Sequence, residues 1–330
     1  MPPPEDPETP VYDVIIVGAG PCGLAVAARL RERTPSAVFT DQEHQRYHWI
    51  RRHAAQTSIK AWKTGRVRAA GRVPCADRSM LVLDAIADRW MARWDGLFGA
   101  LGIEQLRSPS FFHVDPSDRD ALLAFAHEHG RMDEMVEIRG VVGKELSKHR
   151  KKKSAVRQPR EPLINERDRK DYFTPSTALF AGHCKSVAER YGLLGDTVRK
   201  ETVEDIVYDD FAEVPGVHKS FLVKTNKRHY FARTVVLAVG PGSAPAVPGH
   251  VVDKVIAGAC HAMHAHNLPD PVVKARILAN KPTNVLVVGG GLSSAQVSEL
   301  AIRRGVSKVW HIMRGPLKGA RAHGISRDLD

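Results

Sequence analysis

The feature that most constrains this chain is the stretch VYDVIIVGAGPCGLAVAARL, residues 11–30. The apolar run Val14–Val17 is short and rich in β-branched side chains, the pattern of a parallel strand buried on both faces. Gly18, Gly20 and Gly23 follow at G-x-G-x-x-G spacing, with Pro21 and Cys22 between them and an Ala/Leu/Arg helix after them. Each glycine has its own task in such a corner. The first permits the tight turn, the second lets backbone approach a diphosphate, and the third allows close helix–strand contact. Unpaired N–H groups and the dipole then favour negative charge at the helix start. Such domains place an acid about 20 residues further on, ending the second strand against a ribose hydroxyl. Ala37–Thr40 reads as that strand and Asp41 as that acid.

The corner recurs. In TNVLVVGGGLSSAQVSELAIRRG, residues 283–305, the buried run Val285–Val288 meets Gly289, Gly291 and Ser294 at G-x-G-x-x-S spacing. Ser293 and Ser294 can donate hydroxyls to a phosphate. The strand that follows, Val309–Met313, ends in Arg314 where the first corner has an acid. An acid suits the free 2′-hydroxyl of NAD, and an arginine accommodates the 2′-phosphate of NADP. The first corner therefore reads as a flavin dinucleotide site and the second as an NADP site.

Between the corners the pattern is mixed. Residues 81–98 show helical spacing in part, with Ile86, Trp90, Met91 and Trp94 on one face. Asp115-Pro116 reads as a helix entry leading to Leu122, Leu123, Phe125 and Ala126, with Gly130 as the stop. Ser176 reads as the cap of a helix whose apolar side is Leu179, Phe180, Cys184, Val187, Ala188 and Tyr191. His183 and Cys184 are neighbours in sequence and diverge on that helix, so they read as packing and surface residues. After Gly195, ETVEDIVY, SFLVKT and RHYFA read as a small antiparallel meander. It leads into a second buried strand, from Thr234 through VVLAVGPG, ending at Gly240 and Gly242.

Composition narrows the class. With 330 residues, 43% of them hydrophobic, the chain can bury a large core and is expected to hold two domains. The proline-rich, acidic residues 1–10 have no apolar region of a signal peptide and read as a disordered lead. No apolar run approaches membrane-spanning length. The four cysteines are far apart, which points to a reducing compartment and away from a redox-active disulfide. The net charge of +12 is concentrated: residues 144–170 hold eleven Lys/Arg against four Asp/Glu. The run at 148–153 lacks interleaved aromatics, so a solvated loop is favoured over a nucleic-acid patch, with a nuclear-targeting role open. A cytoplasmic location is expected. Tyr47, Trp49 and Trp62 can wall a flat ring or lie on a partly buried surface. His261, His264 and His266 lack a partner acid or cysteine at ligand spacing, and a loop near nicotinamide or substrate is favoured over a metal site.

The order GAGPCGLA, LAVGPG, GGGLSSAQ resembles the two-dinucleotide-binding flavoproteins. Within them it is similar to the FAD- and NADPH-dependent N-hydroxylating monooxygenases acting on lysine or ornithine, and to the oxidative-stress-induced growth inhibitor proteins. The stretches HQRYHWIRRH, QLRSPSFFHVDP and FAGHCKSVAERYGL are similar to fungal members of that wider group. The resemblance implies an α/β fold: a Rossmann-like FAD domain over 11–280, with an antiparallel β-meander at about 198–233, and an incomplete Rossmann-like NADP domain over 281–330. It implies Gly18, Gly20, Pro21, Cys22, Gly23, Asp41 and Gly240 around FAD, and Val203 against the adenine through its backbone. Gln56 and Lys60 resemble a Gln/Lys pair that touches flavin and substrate. Gly289, Gly291, Ser293, Ser294 and Arg314 are implied at NADPH. The implied partners are dioxygen and an amine-type small molecule, and a homo-oligomer is compatible. No catalytic side chain is assigned, because the cofactor carries the chemistry. The chain stops one strand past the second corner, so an exposed sheet edge and apolar helix faces are expected there.

Overall fold

A computed structural model describes residues 11–33, 35, 46, 58–60, 67–69, 78–138, 142–143, 164–211, 219–241 and 258–315. The chain divides into two compact units. The first comprises Met1–Ala92, Phe111–Met132 and Phe180–Gly240, and the second Arg93–Ser110, Asp133–Leu179 and Pro241–Asp330.

The first unit is built on a mixed six-stranded sheet. Its strands are β1 (Val11–Val17), β2 (Met80–Asp84), β3 (Val198–Lys200), β4 (Val203–Asp209), β5 (Ser220–Thr225) and β6 (His229–Leu237), in the order β4-β5-β6-β1-β2-β3. β1 lies parallel to both β6 and β2, and β3 runs parallel to β2. The three meander strands β4, β5 and β6 pair antiparallel. Val14, Ile15 and Ile16 are at most 5% exposed, which explains why this strand reads as a continuous apolar run. Ile15 joins Leu81, Leu83, Val223, Tyr230 and Ala232 in one cluster on one face of the sheet. On the other face helix α1 (Pro21–Arg31) covers Ile16, with Leu24, Ala27 and Ala28 fully buried. Each fully buried Leu or Ile contributes about 1.5–3 kcal/mol.

Four expectations change here. Residues 81–84 belong to strand β2, and the helix that was expected to begin there starts at α2 (Ala92–Leu101). Burial on both faces between β1 and β3 decides the short apolar run, and Met91 at φ +65° cannot continue a helix. Asp115-Pro116 does not open a helix; α3 (Ala121–Glu128) begins five residues later, after Asp120. Asp115 is instead buried, accepting from the Ser117 N–H and hydroxyl and pairing with Arg190. His229–Leu237 is one strand, antiparallel to β5 in its first half and parallel to β1 from Phe231 onward, where the sequence suggested two. Ser176 does cap α4 (Thr177–Arg190), its hydroxyl accepting from the Leu179 N–H at 2.9 Å. His183 and Cys184 are both buried, so neither is a surface residue.

In the second unit β7 (Asn284–Val288) and β8 (Lys308–Ile312) form a parallel pair joined by α6 (Leu292–Arg303), and α5 (Pro271–Leu278) precedes them. Val285, Val287 and Val309 face Val297 and Leu300 of α6 and Leu101 of α2. The alternate residues Leu286, Val288, Trp310 and Ile312 are 52–76% exposed, so among the described residues the opposite sheet face is open. Two shorter ladders, Met135–Glu137 with Phe173–Pro175 and Val142–Gly143 with Ile164–Asn165, belong to the same unit. Among the described residues no helix is long and apolar enough to cross a membrane.

Candidate functional site

Each glycine corner stands at the carboxyl end of parallel strands, where ligands of open α/β sheets bind. In the first, the Gly18 N–H donates to Leu83 O at 2.8 Å, and the chain turns with φ +112°. A Cβ at Gly18 would lie 2.3 Å from Ala238 O, so the end of β6 leaves no room for a side chain. A Cβ at Gly23 would lie 2.0 Å from Gly18 O, which fixes the close approach of α1 to the turn. Gly20 differs from both: a Cβ there meets nothing within 4 Å. It is the N-cap of α1, with no side-chain cap, no acid in the first turn and Pro21 in the first helical turn. Open space in front of uncapped N–H groups is what a diphosphate needs, so these residues fit the dinucleotide that the motif implies. Cys22 is exposed in the same turn. Gly240, at φ +64° beyond β6, also has open space before it.

The second corner repeats the arrangement. Gly289 has φ +143° and donates its N–H to Ile312 O, while a Cβ at Gly291 meets nothing within 4 Å. Gly291 caps α6 with no side-chain cap and no acid in the first turn. Ser294 is half-buried, with its Oγ 2.6 Å from where a Gly289 Cβ would be, and Ser293 is exposed at the helix start. Arg314 lies exposed two residues past β8, the strand neighbouring the corner. His311 Nε2 donates to Gly289 O at 2.5 Å, tying β8 to the turn. These residues also fit a dinucleotide.

The acid that ends the strand beside β1 is Asp84. Its Oδ2 accepts from the Ala19 N–H at 2.9 Å, and its Oδ1 accepts from the N–H groups of Ile86 and Ala87 at 2.8 and 3.2 Å. Among the described residues three of about four acceptor positions on the carboxylate are used, with the remaining one beside the glycine turn. Asp41 and Gln56 lie outside the described residues, as do Tyr47, Trp49, Trp62 and the basic run. Lys60 ends the strand Ser58–Lys60, with its side chain outside what is described. Val203 opens β4.

Beyond Asp84 lies a network that the motifs do not signal. The Glu201 N–H donates to Asp84 O at 3.0 Å, and the Glu201 side chain is 4% exposed. Tyr230 OH and Thr225 Oγ1 donate to its two oxygens at 2.8 and 2.7 Å. Burial and the Glu201 carboxylate push the Tyr230 hydroxyl above its ordinary range, which keeps it a donor. Both acids had a faint sequence signal: each directly ends or follows an apolar-containing strand of the parallel sheet.

His183 is a separate buried polar group of the first unit. Among the described residues its Nε2 has no hydrogen-bond partner, and its ring meets Phe125 and His113 edge-on at 5.5 Å. Burial and His113 lower its pKa to about 3, so it is neutral in the fold. At Asp115 burial acts to raise the carboxyl, and the Ser117 N–H with Arg190 outweighs it, holding the pKa below its ordinary value. Among the described residues no three His, Cys, Asp or Glu side chains are placed to hold a metal ion, and none of Cys22, Cys184 and Cys260 forms a disulfide.

Residues 170–316 match the family model described as L-lysine 6-monooxygenase/L-ornithine 5-monooxygenase. An uncharacterized oxidoreductase, CzcO, of Bacillus velezensis is 31% identical over 124 residues, covering 38% of this chain and 31% of that protein. Among solved structures, L-lysine 6-monooxygenase from Pseudomonas syringae aligns at 17% identity and TM-score 0.44, over 90% of this chain and 52% of that one. A flavin monooxygenase from Stenotrophomonas maltophilia aligns at 17% identity and TM-score 0.41, over 93% and 58%. The chain therefore spans 52–58% of the length of these solved chains and matches 31% of the curated relative. It is a mixed α/β protein similar, over residues 170–316, to the lysine and ornithine monooxygenases.

Proposed function

We propose that the chain is an FAD-dependent oxidoreductase that draws electrons from NADPH and acts as a monooxygenase on an amine-type small molecule. The carrying observation is the pair of corners. At Gly20 and at Gly291 an uncapped helix N-terminus faces open space, while the flanking Gly18, Gly23 and Gly289 are sterically closed. Backbone N–H groups of residues 22–23 would hold the FAD diphosphate, and Asp84 offers its remaining acceptor position to the ribose. Residues 292–294 would hold the NADPH diphosphate, with Arg314 at the 2′-phosphate. Bound flavin supplies hydride acceptance and oxygen activation, and the protein supplies binding, orientation and exclusion of water. The matching family model supports the amine substrate class.

The test is a product balance. The purified protein is supplied with FAD, NADPH and either lysine or ornithine, and NADPH loss is compared with hydroxylated amine and hydrogen peroxide. Hydroxylated product that tracks NADPH supports the monooxygenase. Peroxide alone points to an NADPH oxidase or reductase without oxygen insertion. A protein that takes up no flavin points to a non-catalytic regulator, a reading favoured by the open apolar face of Leu286, Val288, Trp310 and Ile312.

A further inference from the structure

The residues that hold the first diphosphate account for the middle of the dinucleotide, between its flavin and adenosine halves. The adenosine end must lie further along the carboxyl edge of the sheet, past β2 towards β3. That edge is fastened by Glu201. Asp84 and Lys200 are register partners, so the residue after Lys200 stands beside Asp84 just outside the sheet. There the Glu201 N–H closes on Asp84 O, and the same Asp84 holds the glycine turn through the Ala19 N–H. The carboxylate turns inward to the hydroxyls of Tyr230 and Thr225, with Arg228 Nε 3.8 Å away. The next residue, Thr202, is pinned twice by Asn226: its N–H donates to Oδ1 at 2.9 Å, and its carbonyl accepts the Asn226 N–H at 3.0 Å. The ladder then slips between Val203 and Asp205, so Glu204 is an extra residue opposite the Thr225–Lys224 step. Bulges of this kind re-aim backbone next to binding sites.

A buried carboxylate is costly, and an apolar residue would tie down a hairpin more simply. Its position suggests another use. We propose that Glu201 is a positioning residue for the adenosine half of FAD, holding the Thr202–Val203 backbone at the carboxyl edge in register with Asp84 and the glycine turn. This inference rests on the flavin reading given above. The role is geometric and does not require the negative charge. A glutamine can accept from Thr225 Oγ1 and donate to the Tyr230 oxygen, which takes the Arg199 guanidinium at 3.2 Å and keeps a second lone pair.

FMN carries the same ring and a phosphate without adenosine, so comparing FAD with FMN isolates the adenosine end. The experiment measures flavin dissociation constants by fluorescence quenching on the full chain, with thermal melting of each variant alongside. Glu201→Ala is expected to weaken FAD about tenfold or more while moving FMN less than about twofold, and Glu201→Gln to stay within about twofold of the parent for both. Tyr230→Phe removes one hydroxyl, is expected to shift the FAD/FMN ratio about threefold, and carries the test if Glu201→Ala does not fold. An unchanged FAD constant in Glu201→Ala, or equal losses of FAD and FMN, overturns the positioning role while leaving the flavin reading intact. A parent protein that binds no FAD overturns both.

Discussion

Replacing Gly20 by alanine separates nucleotide binding from folding. Gly20 sits at φ −82° and ψ −173°, extended backbone open to any L-residue, and a Cβ there meets nothing within 4 Å. On the folding side two effects oppose each other. Alanine restricts the unfolded chain, a gain of about 0.4–1 kcal/mol, and it is a poorer N-cap than glycine by about 0.5–1 kcal/mol. Stability should therefore stay within about 1 kcal/mol of the parent. On the binding side the methyl occupies the space through which a diphosphate reaches the helix N-terminus. Loss of a single hydrogen bond to a charged group removes about 1.5–3 kcal/mol, which is roughly 10- to 150-fold in Kd. The assay pairs urea unfolding with FAD titration by fluorescence. A variant with parent-like unfolding and parent-like FAD affinity would refute the assignment of this corner to a diphosphate.

Other outcomes follow from the same geometry. Gly18→Ala places a Cβ 2.3 Å from Ala238 O at φ +112°, so strain of about 1–3 kcal/mol adds to a backbone clash; urea unfolding should show a midpoint well below that of Gly20→Ala. His183, with its pKa lowered to about 3 from 6.5, stays neutral in the fold while the unfolded chain takes up a proton. Its contribution is therefore full above pH 6.5 and falls as pH drops towards 3, by about 1.4 kcal/mol per unit. His183→Leu should flatten the stability slope between pH 6.5 and 5, and parallel slopes for parent and variant would count against it. Arg314→Ala should weaken NADPH about tenfold at low salt, as loss of a charge-assisted contact does, and leave NADH unchanged. Equal effects on both cofactors would remove Arg314 as the phosphate reader.

Both corners were legible in the sequence because their signal is steric. Gly18, Gly23 and Gly289 occupy positions where backbone or a neighbouring side chain excludes a Cβ, and such positions leave a fixed residue spacing. The meander was legible for a similar reason, since alternation and turn residues are local. What escaped was decided by tertiary burial. MLVLD at 80–84 carries five residues of apolar-to-acid pattern, too short to tell strand from helix by period, and the aromatic spacing from Ile86 to Trp94 pulled the reading towards a helix. Only its place between β1 and β3 settles it. Asp84 closes that strand, so its place beside the glycine turn is likewise set by tertiary packing. Glu201 carries no motif at all; its partners Thr225 and Tyr230 are 24 and 29 residues away and meet it only when the hairpin closes. Asp115-Pro116 has good helix-opening chemistry, but the Arg190 contact from a distant helix claims the carboxylate instead.

The most direct test is a crystal structure of the protein grown with FAD and NADP. The account predicts one diphosphate against the backbone of residues 20–23 and a second against residues 291–294, each in contact with main-chain N–H groups. Density for neither nucleotide, or a flavin bound elsewhere with both helix starts facing only water, would contradict it.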